Sequence, residues 1–308
     1  MGTSLISLAF TELCSLGFEL SSLSDWERER KMESMKNFRI SQDARPQAGL
    51  LLVAAALSVL LWFIPFAEVL TYPFRIFVTF IHEGGHAIAA LLTGNSVESL
   101  SIATNASGET YTTQGATISQ MFVSSAGYLG SITFGALLLV LIRKAVAARI
   151  VLVSSAVLIS ALTIIYGLIK PAVSGVVTSS LPFTILAGTV LSVGLVLVAK
   201  YARARVATFF VSFLAVQCVL NALLDLKTIF FLSSPFAPTV PTDALNMAAA
   251  TGIPALVWAV LWIALSFGIL AMAMRLYIVG KRKQFQLDSA FDPLPMFPTT
   301  ISDSQNVR

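Results

Sequence analysis

The chain has 308 residues, 56% of them hydrophobic and only 12% charged, with a net charge of +4. That balance excludes a soluble globular domain, which exposes far more charge. The slight basic excess reads as span-flanking residues that face the cytoplasm, not as a nucleic-acid surface.

In chain order, residues 1–48 come first. The run "SDWERERKMESMKNFRISQDARPQ" is polar and mixed in charge, without a sustained apolar stripe, and reads as a disordered tail. From Leu50 onward apolar runs of spanning length follow one another, near 50–72, 74–94, 118–142, 150–169, 181–199, 206–232 and 253–279. The expected fold is therefore an all-α polytopic membrane protein of six to seven transmembrane helices, its membrane domain covering 49–280. Residues 281–308 are polar and Pro-containing, and form a solvated tail. One connection is different. Residues 96–117, "SVESLSIATNASGETYTTQGAT", alternate roughly and carry "NASG" in the middle, the pattern of a small β-hairpin with a glycine-containing turn.

Basic clusters follow the third run (Arg143, Lys144, Arg149), the fifth (Lys200, Arg203, Arg205) and the seventh (Arg275, Lys281, Arg282, Lys283). The positive-inside rule puts those three ends on one side, and the basic N-terminal tail prefers that side too. Seven full crossings cannot satisfy both. One of the first two segments is expected not to cross, and a 74–94 segment that enters and returns would reconcile the charges.

That second segment also holds the chemistry. "RIFVTFIHEGGHAIAALLTG", residues 75–94, carries His82, Glu83 and His86 among Ile, Val, Phe, Ala and Leu, and the chain has no other histidine. An ionisable group at membrane depth is expensive and signals function by default. His82 and His86 are four apart, so a helix stacks them on one face. H-E-x-x-H on a helix offers two imidazoles to one zinc, with the glutamate as general base. In that scheme zinc lowers the pKa of its bound water toward about 7, and Glu83 takes the proton as the water attacks a carbonyl. The pair Gly84-Gly85 costs a helix about 1 kcal/mol per residue relative to Ala. Its presence implies close approach of another group to the backbone.

A catalytic zinc wants a third protein ligand and one open position. With no third histidine, the candidates are carboxylates. Asp225, in "QCVLNALLDLKTIFFL", sits mid-span and is the best placed; its bland alternative is a salt bridge with Lys227. Asp243, in a Pro-rich connection that water reaches, is the runner-up. Glu68, reaching back around Pro73, is third.

"HEGGHAIAALLTG", a β-like segment, "SSAGYLGSITFGALLL" and an aspartate in a late span together resemble the site-2 protease family of intramembrane zinc metalloproteases, in its many-spanned branch. The resemblance implies that His82, His86 and Asp225 bind Zn2+ and that Glu83 is the catalytic base. The implied partners are membrane-protein substrates and the lipid bilayer, in a multi-pass integral membrane protein. Where the family has Leu-Asp-Gly, this chain reads Leu224-Asp225-Leu226. Two other readings use the same buried polar residues: a transporter that passes an ion or proton, and an inactive protease-like adaptor.

Overall fold

The computed structural model describes residues 45–279, apart from 62, 65, 114, 144–147 and 235–239. The tails expected at 1–48 and 281–308 lie outside the described residues, except that the first helix already begins at Arg45. The elements are α1 (Arg45–Leu61), α2 (Ala67–Leu92), β1 (Val97–Ile102), β2 (Gly108–Thr112), α3 (Thr117–Arg143), α4 (Ala148–Ser174), α5 (Leu181–Tyr201), α6 (Ala204–Leu232), α7 (Asp243–Thr251) and α8 (Ala255–Val279). The protein is an all-α membrane bundle with one two-stranded antiparallel sheet.

Among the described residues five helices, α3, α4, α5, α6 and α8, are long and apolar enough to cross a membrane. Five crossings bring the ends of α3, α5 and α8 to one side, as the basic clusters require. The first two runs behave differently. α1 has 17 residues, about 25 Å of helix against a hydrocarbon core of about 30 Å. α2 is long enough, but Glu68, Arg75, Glu83 and both histidines make it too polar to face lipid. It does not turn back. It runs unbroken through Pro73, and the chain breaks earlier, at Phe66, which adopts φ 64.

α2 is the axis of the bundle. From Ile76 to Ala87 every residue is buried or half-buried, enclosed by α3, α6 and the hairpin. The crossing of α2 and α3 is made by small residues. A Cβ on Gly85 would strike the Ala126 carbonyl, and a Cβ on Gly130 would touch the Gly85 Cα. Backbones approach this closely only where side chains are missing, which accounts for the costly second glycine of the motif.

The hairpin folds back along α2 instead of projecting from the bundle. Tyr72 Oη donates to the Thr104 carbonyl at 2.6 Å, and Thr79 Oγ1 donates to that of Ala106 at 2.9 Å. Val97, Leu100 and Ile102 of β1 are fully buried. The outer edge of β1 is closed by helix side chains: Ile102 N–H donates to Thr184 Oγ1 (2.7 Å) and Ser174 Oγ donates to the Glu98 carbonyl (3.3 Å). In its turn, Asn105 Oδ1 accepts from the Ser107 N–H and hydroxyl, and the positive φ falls on Ala106. Gly108 was expected to make that turn, and begins β2 instead.

The α2–α3 crossing gives an ordered expectation. Gly85→Ala forces a Cβ against backbone and is expected to cost about 1–3 kcal/mol. Gly84→Ala meets the movable end of Leu162, and a helix-propensity gain of about 1 kcal/mol offsets that contact. Thermal unfolding in detergent should rank Gly85→Ala well below wild type and Gly84→Ala close to it.

Candidate metal centre

His82 and His86 stack as their spacing requires, and their Nε2 atoms lie 3.1 Å apart. His86 is oriented from behind: its Nδ1 lies 2.7 Å from the Val123 carbonyl of α3. A proton on Nδ1 makes that hydrogen bond and leaves the Nε2 lone pair facing the site. The ring of His82 meets the Tyr128 ring edge-on at 4.6 Å, and Tyr128 leans on Trp262 of α8 at 5.5 Å. The Trp262 indole N–H donates to Ser125 Oγ at 3.1 Å, so this aromatic backing is itself fixed.

The carboxylate that reaches both imidazoles is Asp243. Its Oδ2 lies 3.4 Å from each Nε2. Among the described residues these three side chains form a group whose donor atoms could share one metal ion. The triangle has edges of 3.1, 3.4 and 3.4 Å. Three ligands about 2.0–2.1 Å from a tetrahedral zinc are about 3.3–3.4 Å apart. Two nitrogens and one carboxylate oxygen are also a donor set that zinc accepts, with a fourth position left over. α3 leaves the space free: a Cβ on Gly127 would collide with the Nε2 atoms of both histidines.

Asp243 is placed by α7. Thr242 caps that helix, accepting from the Leu245 N–H at 3.2 Å. Ala244 and Met247 bury against Tyr128, Leu226 and Trp262, and Gly252 ends the helix at φ 72. Asp243 is the first residue, where a negative charge meets the positive end of the helix. Burial works against its ionisation, but His86 and His82, when they carry a proton on the nitrogen facing it, outweigh that and hold the carboxyl well below the usual carboxylate range.

Asp225, the expected third ligand, is not part of the triangle. It opens onto the same cavity from α6 and, among the described residues, makes no ion pair with Lys227. The expectation rested on burial mid-span, yet Asp225 is an exposed residue on a wall of the cavity. Asp243, by contrast, opens a short amphipathic helix that brings its carboxylate to the imidazoles. Thr242 before Asp243, apolar residues three apart and a closing glycine were the available signal. Glu68 lies in the first turn of α2, 14 residues before His82 and therefore about 21 Å away along the axis.

Glu83 is buried beneath β2, where its Oε2 accepts a hydrogen bond from Thr110 Oγ1 at 2.6 Å. The cavity in front of it, about 830 Å3, is walled on one side by residues 106–113 of the hairpin and on another by Asp225, Thr228 and Asn246. Among the described residues the sheet has two strands, and the edge of β2 away from β1 pairs with no other.

A family model described as Peptidase M50B-like matches residues 50–273, which takes in both histidines, Glu83, Asp225 and Asp243. No curated protein and no solved structure matches the chain.

A Gly127→Ala variant tests whether the space between the imidazoles is required. The added methyl should weaken divalent-metal binding at least about tenfold, the scale of losses when ligand orientation is disturbed. Competition against a chelating dye measures the affinity, and unchanged circular dichroism would show that the bundle still folds.

Proposed function

We propose that this chain, which belongs to the Peptidase M50B-like family, a site-2 protease family, is a zinc endopeptidase that cleaves membrane segments of other proteins. The observation that carries the proposal is the His82–His86–Asp243 triangle, next to Glu83, at the base of a polar cavity within the bundle. The proposed ligands are His82, His86 and Asp243, with Asp225 left as a polar residue of the cavity wall.

A zinc ion held there supplies Lewis acidity, enough to bring the pKa of a water toward about 7. Glu83 accepts a proton from the attacking water and returns it to the leaving amine, the task of a general base that turns acid. His86 keeps its ring fixed through Val123, so the ligand face does not wander. The free edge of β2 offers backbone N–H and carbonyl groups along the cavity. An unwound substrate segment can add there as a strand and have its peptide groups satisfied without bulk water. The surrounding Thr, Ser and Asn side chains admit the one water that hydrolysis needs.

Metal analysis of the purified protein should find one zinc per chain. His86→Ala and Asp243→Asn should each lose it, whereas Asp225→Asn should keep it. Retention by Asp243→Asn with loss in Asp225→Asn would reverse the ligand assignment.

Glu83→Gln keeps the side chain's size but cannot take a proton. It should retain zinc and lower cleavage of a reconstituted membrane peptide by about 10²–10⁴-fold, the usual contribution of general acid–base catalysis. Ion flux through vesicles with no cleavage of any membrane peptide would favour a transporter instead.

A further inference from the structure

We infer that Thr110 is the positioning residue for Glu83, so that the hairpin, and not the helix carrying the motif, sets the direction of the general base. The inference rests on the protease reading given above and adds a residue to it.

A glutamate side chain has three rotatable bonds, and α2 fixes only where they start. Two independent contacts fix where they end. Thr110 Oγ1 donates to Glu83 Oε2 at 2.6 Å, a short charge-assisted hydrogen bond. The same hydroxyl is 3.3 Å from the Glu83 carbonyl, but it has one proton, and the shorter bond to the carboxylate takes it. The second contact is at Gly108. A Cβ there would run into Oε1, Cγ and Cδ of Glu83. The backbone of Gly108 does not require glycine, because its φ is not in the left-handed region. The space does. Gly108 and Thr110 are two apart on β2 and therefore share one face, and that face lies on the carboxylate. Glu109 and Tyr111 point the other way and bond to each other at 3.1 Å.

The choice of side chain fits the task. Threonine is β-branched and stiff about χ1, which suits a strand and holds its hydroxyl in one direction. β2 is in turn locked to β1, with Leu100 opposite Thr110 and Ile102 opposite Gly108. Both of those partners are fully buried. The base is thus held through a chain of contacts ending in the bundle core, and the strand that would receive substrate is the strand that aims it.

The test compares Thr110→Val, which keeps the shape and removes the donor, with Thr110→Ser, which keeps the donor. Both are made in the full chain in lipid nanodiscs loaded with zinc. Thr110→Val should lower kcat by about 10- to 100-fold, the cost of misplacing a reacting group by about an ångström, with KM within about twofold and zinc content unchanged. Thr110→Ser should recover most of kcat. Gly108→Ala, which displaces the same carboxylate with Thr110 intact, should lose kcat in the same way. A readout independent of turnover is the Glu83 carboxylate stretch in the infrared difference between each protein and its Glu83→Gln counterpart. The band should move in Thr110→Val and stay in Thr110→Ser. Wild-type kcat in Thr110→Val, an unmoved band, or serine performing no better than valine would overturn the inference. A wild-type protein that cleaves nothing while the band still moves would sink the protease reading and uphold the contact.

Discussion

Everything in this bundle follows from the need to keep one polar helix out of lipid. α2 carries two imidazoles and a carboxylate within five residues, and each would cost a few kcal/mol against hydrocarbon. The cost is avoided by enclosing the helix in protein. α3, α6 and the hairpin pack around it and enclose the stretch from Ile76 to Ala87. A sheet inside a membrane domain is itself demanding, since its edges need partners. The β1 edge finds them in Thr184 and Ser174. β2 instead lines the cavity, one of the settings in which non-helical backbone is tolerated at depth.

The enclosure also fixes the chemistry. Gly85 and Gly130 let α3 come close enough for Val123 to hold His86 and for Tyr128 to back His82. Gly127, between Val123 and Gly130 on the same helix, then leaves room for the imidazole nitrogens. One run of α3 therefore does three jobs: it seals the polar helix, orients a candidate ligand and keeps space for an ion. A larger residue in this run disturbs more than one of them, because packed interiors accommodate added volume poorly.

Much of the fold was legible in the sequence because it depends on composition and period. The runs from 118 onward became helices within a few residues of the expected limits, and the hairpin appeared where alternation placed it. The reason for the second glycine was legible too, as a demand for close approach. The departures from expectation share a cause. The break expected at Pro73 lies instead at Phe66, through which the chain turns into α2, because the folded core extends the helix across a residue that local preference would place at its start. Asp225 was favoured over Asp243 by assuming that mid-span means buried and that a Pro-rich connection means solvent. Tertiary packing instead opens a cavity beside α6 and folds α7 into the bundle, so that Asp243 is the carboxylate that reaches the imidazoles. The Glu83–Thr110 pair, 27 residues apart, had no sequence signal, since any alternate residue of β2 could have faced α2.

Asp225 shows how far the cavity changes the rules of the membrane. Lys227 is two residues on, about 200° around the helix, and helical neighbours that can pair are three or four apart. A carboxylate without such a partner is tolerated when water or polar side chains replace it. Thr228 on the same helix and Asn246 on α7 line the same space. The aspartate is thus accommodated by the polar lining of the cavity. Hydrolysis needs a water at depth, and a bundle that admits one must line its route with groups that hydrogen-bond. Behind the histidines the wall is aromatic: Tyr128 meets the His82 ring and leans on Trp262, and both residues are buried.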